Sequence, residues 1–179
     1  VPALSFVATA NSILAAGFIP KFVDIKVKTL NIDPAKIEEA ISDKTRAIMA
    51  VHTMGKPCEM EPILEIARAH NLKVIEDACE AHGATYKGQV IGSIGDMGAF
   101  SFYAAHVVVA GEGGMIVTNN DEIADVVRSV KSHGRPFGSI YFDFQRIGFN
   151  SRMNELTAAI GLEGLEYFDE TFNQRKENF

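Results

Sequence analysis

The feature that most constrains the fold is a regular alternation along the chain between short apolar runs and longer segments with helical periodicity. Several of the apolar runs contain almost no polar side chains, which is typical of strands covered on both faces of a sheet. The runs predict five strands, at Lys21–Ile25, Arg46–His52, Lys73–Asp77, Ala99–Tyr103 and Gly114–Thr118. Because strands and helices alternate, the sequence predicts an α/β fold with a mostly parallel sheet and helices on both faces.

The segments between these runs predict five helices, at Val7–Ala16, Pro34–Ile41, Glu59–His70, Asp121–Ser132 and Asn154–Phe168. Asp33 stands directly before Pro34, and this pair favours a helix start. Asn119 or Asn120 is a second candidate cap, for the fourth helix, whose first turn is acidic. The aromatic, irregular stretch from Pro136 to Asn150 predicts a long loop or an antiparallel excursion.

Composition restricts the class of partner and the compartment. The chain has 179 residues and a formal net charge of −6, which argues against nucleic acid or an anionic membrane as its main partner. Its two cysteines, Cys58 and Cys79, are too few for a disulfide framework or a four-cysteine metal site. No apolar run reaches the roughly 18–20 residues of a membrane span, and no signal peptide is visible. We therefore expect a cytoplasmic protein with no membrane partner.

Ligands of open parallel sheets bind outside the carboxyl ends of the strands, so the side chains there are candidates for a functional site. They belong to Phe6, His52, the run Asp77 to Glu80 and the run Ser101 to His106. A carboxylate after a buried strand, such as Asp77, is costly to desolvate unless a donor or a positive group meets it. Taken alone, Asp77 would more often be a helix cap or part of a surface turn, Phe6 a core residue and Gly111–Gly114 a simple turn.

The ordered combination of these motifs resembles the DegT/DnrJ/StrS family of nucleotide-sugar aminotransferases, which depend on pyridoxal phosphate (PLP). An Asp after a hydrophobic strand is followed by a Ser-Phe-Tyr strand end and then by a Gly-Glu-Gly-Gly turn. Further blocks extend the resemblance over nearly the whole chain, at Pro2–Asn11, Phe22–Ile25, Asn31–Pro34, Val51–Pro57, Glu76–Ala78, His82–Ala84, Gly95–Asp96, Ser132–Arg135 and Gly148–Glu155.

The resemblance implies the large domain of a fold-type I PLP-dependent transferase. Residues 1–179 would then be a partial cofactor-binding domain, incomplete at both ends. An N-terminal segment and a C-terminal small domain would lie outside this chain.

The resemblance also implies a role for individual residues. Asp77 would pair with the pyridine nitrogen of the cofactor and keep it protonated, so that the ring can accept electrons. Phe6 would stack on the ring face, Ser101 would contact the cofactor phosphate, and Glu80, where most members carry Gln, would lie near the phenolic oxygen. Asn150 would reach the phosphate bound to the neighbouring subunit, which implies a homodimer.

One position departs from the family pattern. In the aminotransferases, the lysine that binds the cofactor covalently stands five residues after this serine; here that position is His106, and no lysine lies from Ala104 to Ala110. Imidazole cannot form a stable Schiff base, but it can act as acid and base near neutral pH. The cofactor would then be bound non-covalently, most naturally as pyridoxamine phosphate (PMP). A branch of the family, the sugar 3-dehydratases, is similar in this histidine and in the pattern Asp77-x-Cys79-Glu80.

The departure leaves three hypotheses open. The leading one is a PLP- or PMP-dependent enzyme that removes the C3 hydroxyl of a nucleotide-linked 4-keto-6-deoxyhexose, with His106 as acid and base and glutamate as a plausible amino donor. The alternatives are a nucleotide-sugar aminotransferase whose Schiff-base lysine has been replaced, and a non-catalytic homologue. The other histidines are interpreted as structural or surface residues, and their spacing predicts no metal site. They are His52, His70, His82 and His133.

Overall fold

The parallel sheet expected from the apolar runs is present in the computed structural model, which describes residues 1–178. Strand β1 (Ala47–Val51) pairs in parallel with β2 (Lys73–Asp77), so that Val51 lies opposite Asp77. After β2 the chain forms a small antiparallel hairpin of β3 (Thr85–Tyr86) and β4 (Gln89–Val90), which the sequence did not predict. Strand β5 (Met97–Ser101) then pairs in parallel with the other side of β2.

The chain divides into two compact units, Val1–Phe100 and a second unit that begins at Ser101, the last residue of β5. The first unit contains helix α1 (Val7–Ala15) and helix α2 (Met60–Ala69). Both agree with the predicted helices to within a residue at each end. Residues buried on α2, such as Ile63, join the aliphatic core that covers β1 and β2.

Two predicted elements of the first unit are wrong. The segment Pro34–Ile41 is not one α-helix but two short 3₁₀ turns, Pro34–Lys36 and Glu38–Ala40. Asp33 does cap the first turn, through a hydrogen bond from Ala35 N, but the chain then closes i to i+3 bonds that stop after one turn each.

The predicted strand Lys21–Ile25 is reduced to two isolated bridges, Pro2 with Val23 and Ile25 with Ile32. Val23 exchanges hydrogen bonds with Val1 and Ala3, on either side of Pro2. The second bridge is antiparallel and has a different partner, so no continuous ladder runs along Lys21–Ile25.

The second unit contains β6 (Gly114–Val117), α3 (Asp121–Val130), α4 (Glu155–Glu166) and α5 (Phe168–Glu177). Asn120, one of the two predicted caps, accepts a hydrogen bond from Ile123 N at the start of α3. The predicted last helix, Asn154–Phe168, ends at Glu166, and the charged run Asn173–Glu177, whose composition is helical, lies in α5. As expected, the described structure of 136–149 contains no helix or strand, and an antiparallel bridge joins Ser132 to Asn150. Within residues 1–178, no helix has the length and apolar character needed to cross a membrane.

A buried carboxylate ties the end of β2 to two other segments. Glu76 has no exposed surface, and Ile94 N and Gly95 N each donate to its Oε1 at 2.7 Å. Gly92 N donates to Oε2 at 2.8 Å, and His52 Nε2 lies 3.2 Å from the same oxygen. Four donors therefore meet one carboxylate, as a buried charge requires.

The histidine of this network is fixed by its other nitrogen. Cys58 N donates to His52 Nδ1 at 3.0 Å, so the ring proton is on Nε2 and is donated to Glu76. Burial by itself raises the pKa of Glu76, but the hydrogen bonds from His52 and the three backbone amides outweigh it and hold the pKa below its ordinary value. The predicted structural role of His52 is confirmed.

We expect Glu76→Ala to lower the free energy of unfolding by about 3–5 kcal/mol, because the change leaves a buried imidazole, the buried Gly92 amide and two partly buried amides without their acceptor. Urea unfolding followed by circular dichroism measures the change. Glu59→Ala is a matched control, since Glu59 pairs with Lys26 on the exposed surface and its loss should have little effect. Equal effects of the two substitutions would contradict the structural role of Glu76.

The same network predicts a dependence on acid. Because the pKa of Glu76 is lowered in the folded state, its stabilising contribution is complete above the ordinary value of 4.5 and is lost as the pH falls through the folded value. The difference in unfolding free energy between the natural protein and Glu76→Gln should therefore shrink below that pH. Unfolding curves at a series of pH values test this, and a difference that stays constant into acid would refute it.

Candidate active site

Two of the predicted site residues of the first unit, Asp77 and Glu80, lie at or just after the carboxyl end of β2. Asp77 is the last residue of this strand, and backbone hydrogen bonds join the strand end to the segments on both sides. His52 N donates to Asp77 O at 3.0 Å, and Ala78 N donates to Ala99 O at 2.9 Å. Asp77 is opposite Ala99 in the register, and Ser101 follows two residues later on β5. This is the sheet edge at which ligands of parallel sheets bind.

The carboxylate of Asp77 is half-buried and has two donors. Thr9 Oγ1 donates to Oδ2 at 3.0 Å, and Cys79 N donates to Oδ1 at 3.3 Å. A carboxylate has about four lone-pair positions, so these bonds leave room for a further donor from a ligand.

Phe6 directly precedes α1 and has an extended backbone conformation. Its side chain is 79% exposed, so it is not the core residue that it would be taken for in isolation. Thr9, one turn further along, is hydrogen-bonded to Asp77 and thereby fixes the start of this helix at the end of β2. The ring of Phe6 is therefore open to a ligand.

Glu80 and Cys79 follow Asp77 in the turn after the strand. Glu80 Oε2 accepts a hydrogen bond of 2.6 Å from Met54 N, and Met54 has a left-handed backbone, with φ of 55°. Burial, reinforced by the negative charges of Asp77 and Glu80, raises the pKa of the Cys79 thiol to about 12. Cys79 is thus protonated at neutral pH and is a poor nucleophile.

The second unit holds the remaining predicted residues. Ser101 Oγ accepts a hydrogen bond from Tyr103 N at 3.2 Å. His106 is half-buried, and its backbone N–H donates to Tyr103 O at 3.0 Å. Its imidazole ring meets the Tyr103 ring edge-on, with 6.1 Å between the ring centroids. Arg175 Nη2 donates to His106 O at 3.2 Å. These contacts fix the turn that carries the imidazole.

Asn150 lies on the exposed surface of the second unit, beside its bridge partner Ser132. Its Oδ1 accepts a hydrogen bond of 3.2 Å from Arg152 Nε.

No lysine lies close to His106 in the sequence. From Gly88 to Val130 there is no lysine. Lys87 lies in the β3–β4 turn, where it is exposed and paired with Glu61. Among residues 1–178, no group of three or more His, Cys, Asp or Glu side chains is arranged to hold a metal ion.

Sequence reasoning missed Thr9. Its signal was a hydroxyl four residues after Ser5, a spacing typical of two side chains on one helix face, and Ser5 Oγ lies 2.7 Å from Thr9 Oγ1. Its partner Asp77 is 68 residues away, so the pairing could not be inferred from local pattern.

Comparison with known proteins identifies the scaffold. The chain is 48% identical over 176 residues to GDP-perosamine synthase of Caulobacter vibrioides, covering 98% of this chain and 47% of that protein. It is similar to the structure of ntda from Bacillus subtilis with bound cofactor PMP, with a TM-score of 0.87 and 41% identity over 94% of this chain and 38% of that one. It is also similar to E. coli GDP-4-keto-6-deoxy-D-mannose-3-dehydratase with bound hydrated PLP, with a TM-score of 0.85 and 34% identity over 94% of this chain and 48% of that one.

The chain spans about half the length of the curated relatives it matches. The similar structures confirm the α/β fold of the PLP-dependent, fold-type I class that the sequence predicted. Residues 1–179 match the DegT/DnrJ/EryC1/StrS aminotransferase family throughout, and the chain belongs to that family.

Proposed function

We propose that residues 1–179 form part of the cofactor-binding domain of an enzyme that removes the C3 hydroxyl from a nucleotide-linked 4-keto-6-deoxyhexose. The single observation that carries the proposal is His106 at the position of the family's lysine, in a stretch from Gly88 to Val130 that contains no lysine. A structure similar to this chain is that of a sugar 3-dehydratase with PLP, which supports the choice of reaction.

The residues at the end of β2 fit a pyridine cofactor. The Asp77 carboxylate already accepts two hydrogen bonds and can accept a third from a protonated ring nitrogen. The exposed ring of Phe6 offers an apolar face for stacking. Glu80 Oε2 accepts a hydrogen bond from Met54 N. Its Oε1 can therefore accept one from the phenolic hydroxyl of the cofactor.

In the second unit, Ser101 and Asn150 can each donate a hydrogen bond to a phosphate group. The hydroxyl of Ser101 accepts from Tyr103 N and can still donate its proton to a phosphate oxygen. Asn150 would serve the phosphate bound to a partner subunit, so the proposal includes a homodimer.

When bound as PMP, the cofactor supplies an amine that condenses with the sugar ketone and a protonated ring that accepts electrons. Asp77 holds the proton on the ring nitrogen. His106 would accept a proton from the C4′ carbon of the cofactor. It would then deliver this proton to the hydroxyl on C3 of the sugar, which leaves as water. In one turnover the sugar exchanges its C3 hydroxyl for hydrogen, ammonia is released, and glutamate, the proposed amino donor, becomes 2-oxoglutarate.

A second candidate is amine transfer, and the 48% identity to GDP-perosamine synthase favours it. That reaction uses a primary amine of the protein to hold the cofactor and to move the proton. The imidazole of His106 can do only the second of these, so transfer would have to proceed without a covalent bond between protein and cofactor.

The two reactions differ in the fate of nitrogen. We expect the full-length protein, given PMP, a nucleotide-linked 4-keto-6-deoxyhexose and glutamate carrying a heavy nitrogen isotope, to produce labelled ammonia and a sugar lighter by one oxygen atom. Mass spectrometry of the sugar nucleotide and of the ammonia makes the distinction. Labelled nitrogen in the sugar would establish amine transfer instead, and an unchanged sugar would exclude both reactions.

His106→Gln should lower the turnover number by at least about 100-fold, because the amide cannot transfer a proton, while PMP affinity stays within a few fold. His106→Lys should form a covalent bond to PLP that borohydride traps, seen as a protein mass increased by one cofactor. The natural protein is the control and should not gain mass. Full activity in His106→Gln would remove His106 from the reaction.

A further inference from the structure

One buried hydroxyl on α1 is not used by the proposed reaction. Among the residues of α1, all of which the structure describes, Thr9 alone is buried, with 4% of its surface exposed. Apolar residues of the same helix, such as Val7 and Leu14, are more than half exposed. Burying a hydroxyl in preference to aliphatic side chains is unfavourable unless its hydrogen bonds are satisfied, so the contacts of Thr9 call for an explanation.

Those contacts form a directed chain of hydrogen bonds. Thr9 has one hydroxyl proton, and it is donated to Asp77 Oδ2 at 3.0 Å. The 2.7 Å contact between Ser5 Oγ and Thr9 Oγ1 must therefore use the proton of Ser5. Both hydroxyls thus donate in the same direction, Ser5 to Thr9 and Thr9 to the carboxylate of Asp77.

The chain of bonds makes the two oxygens of Asp77 unequal. Oδ2 accepts the 3.0 Å bond from Thr9, whereas the backbone bond from Cys79 N to Oδ1 is longer, at 3.3 Å. Hydrogen bonds to a carboxylate favour its ionised form and fix the plane of the group. Oδ1 is consequently the oxygen with more capacity to accept a ligand's donor.

We infer that Thr9 is a positioning residue that aligns Asp77 for the ring nitrogen of the cofactor, with Ser5 as the outer member of the same chain. This inference rests on the proposed function, since it takes PMP as the ligand of Asp77. Preorganisation of this kind raises affinity because the carboxylate need not be ordered when the ligand binds.

A merely structural role for Thr9 makes a different prediction. If Thr9 only anchored α1 to β2, its loss would loosen the whole site and weaken every ligand that stacks or binds through phosphate. If it aligns Asp77, its loss affects only ligands that carry a protonated ring nitrogen. The carbon analogue of PMP, in which CH replaces the ring nitrogen, separates the two cases.

The experiment measures the dissociation constants of PMP and of its carbon analogue for the full-length protein by isothermal titration calorimetry. Thr9→Val keeps the shape of the side chain without the hydroxyl and should weaken PMP roughly tenfold, with the carbon analogue unchanged. Thr9→Ser should restore the PMP affinity. Ser12→Ala is the matched control on the same helix, since Ser12 Oγ donates only to Thr9 O and should not alter either constant.

Ser5→Ala provides a second variant for the case in which Thr9→Val does not fold, and it should weaken PMP in the same selective way but less. Equal losses for PMP and its carbon analogue, or no loss in either variant, overturn the inference while leaving the proposed function intact. If the natural protein does not bind PMP at all, the proposed function fails first and the inference with it.

Discussion

The carboxylate of Glu76 is the interaction on which the rest of the first unit depends. It has no exposed surface, yet it is ionised, and it accepts hydrogen bonds from His52 and from backbone amides at 92–95. These donors belong to the segment after β1 and to the loop before β5. One charged group on β2 is thus hydrogen-bonded both to the segment after β1 and to the loop before β5. A buried charge has this effect because every donor must be in place for its burial to be tolerated.

The pleat of β2 explains how structure and chemistry share one strand end. Consecutive side chains point to opposite faces of a sheet, so Glu76 enters the buried network while Asp77, its neighbour, faces the hydroxyl of Thr9. A shift of the strand by one residue would turn each carboxylate to the opposite face. The network around Glu76 therefore also sets the register that presents Asp77 to a ligand.

Local pattern was sufficient for elements whose burial follows from their own sequence. Strands β1 and β2 and helix α2 were predicted because each has a continuous apolar run or an apolar face. It failed at Lys21–Ile25, which forms isolated bridges with two different partners, and at Pro34–Ile41, where the hydrogen bonds close i to i+3 turns. The sequence also placed several carboxylates at the end of β2 without indicating which is buried. That depends on amides and hydroxyls from distant parts of the chain, as the pairing of Thr9 with Asp77 illustrates.

The turn that carries residue 106 is held by main-chain contacts. Ala110 N donates to Phe102 O, His106 N donates to Tyr103 O, and Arg175 donates to the carbonyl of residue 106. These bonds go to main-chain atoms of the turn, whereas the imidazole of His106 also meets the Tyr103 ring edge-on. Replacing the side chain at this position therefore changes the available chemistry and removes that ring contact, while the main-chain bonds can remain. Asp77 is held by its own hydrogen bonds in the first unit, so the same scaffold can carry different chemistry.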